Sequence, residues 1–343
     1  MAAAVESIRL TVLEDPRVAG ALVVGLIMLT WLILRHFSKA STSRLHLNDL
    51  ARVECLSTGR LMHKIVLPPR EASNTKTLVL MIPGNPGVPG FYEPFMRHMH
   101  QLSGQDVEIV GLSHTGHSLP WINNDETFDL ETQVVDKLAY IQKRLERDSS
   151  LRLVLIGHSI GGHIALRLLN HYSAQIDKLV LIQPTLMHIG DTPNGKRLTP
   201  IFNRYSLVSS VVGKPIGMLP TSLKKLLVPF FVGPAAFHKP ALSLVEYAVL
   251  LNCLKMAWHE VQELKEIDDG LVKTHQEKML FVFAEYDGWC PPEQVEILQS
   301  RYTQAKHVTV ALPHAFMLGE NGSEVMGNLV WEWLSAEKMP TAG

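Results

Sequence analysis

An α/β fold, a mainly parallel sheet covered by helices on both faces, is what this 343-residue chain predicts. Three observations lead there. Short apolar runs alternate with helix-patterned segments along most of the chain, and such alternation builds parallel strands through helical crossovers. One of those runs, Leu151 to Ile156, leads through Gly157-His158-Ser159-Ile160-Gly161 straight into the helix-forming Gly162 to Leu169. The composition is 46% hydrophobic, enough for a sizeable core, and the length suits one large domain with an appendage.

The first element is a membrane segment. Val18 to Leu34, VAGALVVGLIMLTWLIL, carries no charge. Its 17 residues would span roughly 25 Å as a helix, a little less than a hydrocarbon core of about 30 Å. Trp31 suits one interface, and Arg35 can snorkel to extend the reach. A cleaved signal peptide would want a basic start and a shorter core, whereas here Glu6, Arg9, Glu14, Asp15 and Arg17 precede the segment. A buried core helix is the other alternative, but the polar stretch Ser38 to Ser43 separates the segment from the fold. Positive charge follows at Arg35, Lys39 and Arg44, which places the C-terminal bulk in the cytosol.

The sheet elements come next. Ala51–Leu56 and Leu61–Leu67 are possible strands closed by Pro68-Pro69. Thr77 to Ile82 is a strongly apolar strand ending at Pro83-Gly84-Asn85-Pro86-Gly87, with a helix expected from about Phe91 to Leu102. Val107 to Leu112 is another strand, and it leads into Ser113-His114-Thr115-Gly116-His117-Ser118. Thr127 to Arg147 reads as a helix, with Leu130, Val134, Leu138, Ile141 and Leu145 at helical spacing. Lys178 to Gln183, Lys278 to Ala284 and Val308 to Leu312 are the remaining strands, followed by a helix around Val325 to Leu334.

Between Pro184 and Glu277 the alternation stops. The stretch is rich in Leu, Val, Phe and Pro, and prolines 215, 220, 229, 234 and 240 should break it into short helices. Its place between two strands fits a cap that roofs the substrate pocket; extra scaffold and a segment dipping into a lipid surface are the other readings. The predicted organisation is a membrane anchor over 1–40, core over 41–190, a helical cap over 191–277 and core again over 278–343.

The chemistry is carried by G-x-S-x-G between strand and helix, the nucleophile elbow of α/β-hydrolases, where a sharp turn exposes a serine hydroxyl above the sheet. A serine hydroxyl needs a base, and the base needs an acid to fix its tautomer. In this fold the chain order is serine, acid, histidine. The acid is Asp287, on the loop after the Lys278–Ala284 strand, with Glu285 as substitute. The base is His314, just past the last strand. The oxyanion hole requires two backbone N–H groups; Ile160 follows the nucleophile, and Asn85 sits on the glycine- and proline-rich loop after Ile82. His158 reads as pocket wall or scaffold and His163 as packing, while His114 and His117 sit near the mouth, where substrate contact is open.

Net charge is −1, and no basic run suggests nucleic acid. Cys55, Cys253 and Cys290 are too few and too far apart for a disulfide framework or a metal site. The chemistry calls for no metal and no organic cofactor.

Pro83-Gly84-Asn85-Pro86-Gly87, Ser113-His114-Thr115-Gly116-His117, Gly157-His158-Ser159-Ile160-Gly161, Asp287-Gly288-Trp289-Cys290-Pro291 and Pro313-His314-Ala315-Phe316 together resemble the lipid droplet-associated hydrolases, over about residues 78–335. Pro193-Asn194-Gly195 in the insert is similar too. The resemblance implies an α/β-hydrolase with Ser159, Asp287 and His314 as triad, association with lipid droplets and the endoplasmic reticulum, and hydrolysis of lipid or sterol esters. A serine ester hydrolase is therefore the leading expectation. A hydrolase-shaped structural or lipid-handling protein is the second, and a peptidase or thioesterase using the same triad the third.

Overall fold

The computed structural model describes residues 50–71, 73–118, 126–232 and 235–336; the Val18–Leu34 segment lies outside the described residues. The sheet comprises β1 (Ala51–Cys55), β2 (Leu61–Leu67), β3 (Thr77–Ile82), β4 (Glu108–Leu112), β5 (Arg152–His158), β6 (Ile176–Ile182), β7 (Met279–Ala284) and β8 (Lys306–Val310). The α-helices are α1 (Glu93–Leu102), α2 (Leu130–Arg147), α3 (Ile160–Tyr172), α4 (Pro193–Phe202), α5 (Tyr205–Val208), α6 (Lys214–Gly217), α7 (Thr221–Phe231), α8 (His238–Leu244), α9 (Tyr247–Glu263), α10 (Asp269–His275), α11 (Pro292–Arg301) and α12 (Gly322–Ala336).

Strand order is β1-β2-β4-β3-β5-β6-β7-β8. β2 is antiparallel to both of its neighbours, and every pairing from β4 to β8 is parallel. After β3 the chain steps to one side to form β4, then returns to the other side of β3 as β5. The loops leaving β3 and β5 therefore emerge side by side, Ile82 opposite Gly157, at the topological switch point where ligands bind in open α/β sheets.

All six residues of β3 are buried, as expected of a strand covered on both faces. Alternation sends them two ways. Leu78, Leu80 and Ile82 join the core that includes Val134 and Ile141 of α2 and Ile164 and Leu168 of α3. Val79 and Met81 join Phe95 and Met99 of α1 and Met326 and Val330 of α12 on the opposite face. α2 starts three residues after Thr127, because Asp129 caps it by accepting the Thr132 N–H at 2.8 Å. β5 runs on past Ile156, since Gly157 and His158 keep pairing with Leu181 and Ile182 of β6.

The stretch between β6 and β7 is helical, but its prolines act unevenly. Pro220 sits at a helix start, where a missing N–H costs nothing, whereas Pro215 lies within a continuous helical run from Tyr205 to Gly217. Pro229 lies inside α7, so it does not break the helix. The stretch also contains the 17-residue α9, longer than the short helices the prolines suggested.

Under the sheet's β4 end, Lys137 is fully buried, its Nζ donating to the Ser113 carbonyl at 3.2 Å. The adjacent Asp136 is engaged elsewhere, by Arg60, Thr58 and Thr115. Burial pulls the Lys137 ammonium down from 10.5 to about 7. Between those two values the unfolded chain holds a proton that the folded chain has shed, so stability rises with pH from about 7 toward 10.5 and is lost again as pH falls. The wild-type Tm should therefore climb between pH 7 and pH 9 relative to that of Lys137→Met. Parallel Tm profiles for the two proteins would contradict this assignment.

Candidate active site

The turn after β5 places Ser159 at φ 53° and ψ −124°, a backbone conformation that non-glycine residues rarely adopt. Two glycines make it possible. A Cβ on Gly157 would lie 2.3 Å from the Gly161 carbonyl oxygen, and one on Gly161 would lie 2.2 Å from that of Ile82. Helix α3 thus presses against β3 and β5 at van der Waals contact, and Ser159 stands at its N-terminus. There the unpaired N–H groups and the helix dipole favour negative charge.

The sequence-predicted acid and base meet this serine. His314 Nε2 lies 3.1 Å from Ser159 Oγ, and His314 Nδ1 lies 2.8 Å from Asp287 Oδ2. The other carboxylate oxygen of Asp287 accepts the Trp289 N–H at 2.8 Å, which fixes the rotamer. The Asp287 side chain is 1% exposed, whereas Glu285, the substitute acid, points into solvent. The aspartate is an acceptor, so Nδ1 carries the imidazole hydrogen and Nε2 presents its lone pair to the serine hydroxyl.

The base's loop is held from two sides. Gln183 Nε2 donates to the Pro313 carbonyl at 2.8 Å, and His158 Nε2 donates to the His314 carbonyl at 2.8 Å. With its Nε2 hydrogen so committed, His158 Nδ1 accepts from Tyr92 Oη at 2.7 Å, and Tyr92 Oη accepts the Gly84 N–H at 3.0 Å. Burial, reinforced by the nearby His314 ring, pushes His158 down to about 3, so it stays neutral throughout this chain. One line of hydrogen bonds thereby ties the loop after β3, the elbow and the base loop together. The sequence suggested a scaffold role for His158 but gave no sign of Tyr92 or Gln183, whose partners are remote in sequence.

Ile160 is the first residue of α3 and is fully buried. Asn85 lies on the loop after β3, and its side chain donates to the Cys253 carbonyl at 2.9 Å and to Glu260 Oε1 at 3.2 Å, both on α9. His114 and His117 are fully buried rather than at the mouth. His117 Nδ1 donates to the Pro86 carbonyl at 2.8 Å, so it supports the Asn85 loop from beneath. His163 is half-buried on α3. Cys290, next to the acid loop, is buried, and that burial pushes its thiol up to about 12. Asn194 of α4 donates its N–H to the Gly288 carbonyl at 2.9 Å, which gives the insert's Pro193-Asn194-Gly195 motif a contact with the acid loop.

Ser159 and His314 open onto a cavity of about 260 Å³. Asn85, Pro86 and Trp289 line it from the sheet side, and Phe202, Cys253, Leu254, Ala257 and Glu260 from the insertion. Its size is just below the roughly 300–1,000 Å³ of ordinary ligand pockets. Glu260, a buried carboxyl in this wall, drew no notice in the sequence, because it sits on the buried side of an otherwise ordinary helix.

Strand order, elbow and the serine–histidine–aspartate line define an α/β-hydrolase. Solved structures agree on the fold. A thermophilic esterase from Thermogutta terrifontis superposes with a TM-score of 0.55 at 14% identity, covering 83% of this chain and 98% of the other. A hydrolase from Pseudomonas aeruginosa PA01 gives 0.57 at 13%, covering 84% and 100%. The family model for lipid-droplet associated hydrolase matches residues 75–317, and the chain belongs to that family. It is 28% identical over 286 residues to the lipid droplet-associated hydrolase of Rattus norvegicus, covering 77% of this chain and 86% of the relative. The Gallus gallus relative is 29% identical, with the same coverage.

Proposed function

We propose that this protein is a serine ester hydrolase that cleaves lipid or sterol esters at the surface of a lipid droplet or the endoplasmic reticulum. The observation that carries the reading is the unbroken Ser159–His314–Asp287 line of hydrogen bonds at a strained elbow. Ser159 Oγ attacks the ester carbonyl while His314 Nε2 takes its proton. Asp287 holds the imidazolium that forms. The Ile160 and Asn85 backbone N–H groups receive the developing oxyanion, where one donor is typically worth about 10²–10³ in turnover. The proton on His314 then passes to the leaving alcohol, and water repeats the sequence on the acyl-enzyme to release the acid. Comparing lipid ester hydrolysis by wild type and the Ser159 variant tests the assignment.

The insertion serves as cap, and its outer side as the lipid contact. Phe230 and Phe231 at the end of α7 are 78% and 72% exposed, and Leu226, Met218 and Leu207 of the same insertion are exposed as well. Burying a Phe side chain gives about 1.5–3 kcal/mol, so the pair favours an interface strongly. This face also favours the second reading, a lipid-handling protein with little catalysis. The Val18–Leu34 segment, outside the described residues, adds an anchor that leaves the catalytic bulk in the cytosol. The variant Phe230→Ser/Phe231→Ser should lower turnover of an emulsified long-chain ester at least ~10-fold relative to a water-soluble short-chain ester. An unchanged ratio would remove α7 from the interface.

A further inference from the structure

Glu260 is a buried carboxyl in the cavity that the triad does not use. It lies on α9 of the insertion and is 7% exposed. Its Oε1 accepts from Asn85 Nδ2 at 3.2 Å. Among the described residues, Asn85 Nδ2 is the side-chain group bonded to this carboxyl, and the carboxyl lines the cavity. The rest of the wall that α9 and α4 present is apolar: Phe202, Leu254, Ala257 and the Cys253 thiol.

We propose that Glu260 recognises a free hydroxyl on the alcohol side of the substrate, so that the preferred ester is a lipid with an unesterified hydroxyl close to the scissile carbonyl. The inference rests on the serine hydrolase reading and names its substrate class. Ligand pockets are mostly apolar, with a few placed polar groups that fix orientation, and Glu260 lines the same cavity as Ser159 and His314. Burial, only partly offset by the Asn85 amide, raises its carboxyl to about 8, so at neutral pH it keeps its proton. A neutral carboxyl accepts from Asn85 at one oxygen and donates from the other. A hydroxyl is the group that can accept that bond and also sit in an apolar pocket without bringing a charge. An ester lacking one leaves the donor unpaired.

The test compares 1-octanoylglycerol with propyl octanoate, which have the same acyl chain and the same alcohol carbons and differ only in the hydroxyls. The kcat/KM ratio of the two is read for wild type, Glu260→Gln and Glu260→Leu. Wild type should favour the glycerol ester. Glu260→Leu should cut the ratio about 10-fold or more, whereas Glu260→Gln, which keeps an acceptor for Asn85 and a donor for the pocket, should hold it within a few-fold. An equal loss on both esters in Glu260→Leu would overturn the proposal and leave Glu260 as a prop for Asn85. A wild-type ratio at or below one would overturn it too. Wild type that turns over neither ester, yet is labelled at Ser159 by a fluorophosphonate, overturns the substrate class and spares the nucleophile. Absence of both turnover and labelling overturns the hydrolase reading itself. If Glu260→Leu does not fold, wild type alone decides. 1-O-octylglycerol should protect Ser159 from labelling about 10-fold better than octyl propyl ether, and equal protection would overturn the proposal.

Discussion

Replacing Ser159 by alanine should lower ester turnover by about 10⁶, the loss seen when a serine hydrolase loses its nucleophile and keeps only binding and oxyanion stabilisation. The geometry is the reason for expecting so large an effect. Ser159 is the only hydroxyl within reach of His314 Nε2 among the described residues, at 3.1 Å, and its loss leaves the imidazole nothing to activate except water. The change should be neutral or slightly favourable for stability. Alanine keeps the same Cβ at φ 53° and drops only the hydroxyl, on which nothing in the core rests. Turnover of a short-chain ester with the Tm alongside checks both halves. A variant retaining more than about a hundredth of wild-type turnover would mean that the chemistry runs through another group.

Asp287→Asn should cost about 10⁴ in turnover with little change in fold, and the reason is the position of one hydrogen. In the native site Asp287 accepts twice, from the Trp289 N–H and from His314 Nδ1–H, both at 2.8 Å. An asparagine can keep the Trp289 bond only by turning its oxygen that way, which aims its NH₂ at Nδ1. The ring must then carry its hydrogen on Nε2, pointing at Ser159 Oγ, and the base is gone. Glu285 offers no relief, because it faces solvent. Glu285→Gln should leave the rate unchanged. If Asp287→Asn stayed within 10-fold of wild type, Asp287 would be a structural acid, and the tautomer argument would fail.

Ser159, Asp287 and His314 stand out in the sequence because each follows an apolar run that marks a strand. At the elbow an apolar strand runs into Gly157 just ahead of Ser159, while Asp287 and His314 lie on the loops that follow β7 and β8. Strand positions were readable for the same reason, as in the six buried residues of β3. What sequence concealed are groups whose meaning lies in partners far along the chain. Tyr92 and His158 are 66 residues apart, and Asn85 and Glu260 are 175 apart. No periodicity marks such pairs. His114 and His117 misled in the opposite sense, since a polar loop after a strand suggests a mouth, whereas here the neighbouring loops and α9 close over it and bury both rings. Prolines alone do not locate helix breaks: Pro229 falls near the end of α7, where losing one backbone bond does little harm.

Peptide mapping of the protein after treatment with a fluorophosphonate bears most directly on the convergence of hydroxyl, imidazole and carboxylate at the switch point. One covalent adduct on Ser159 Oγ is expected, formed rapidly by wild type and at least ~10³-fold more slowly by His314→Ala. An adduct on a different residue, no adduct at all, or one that forms as fast without His314 would contradict the site described here.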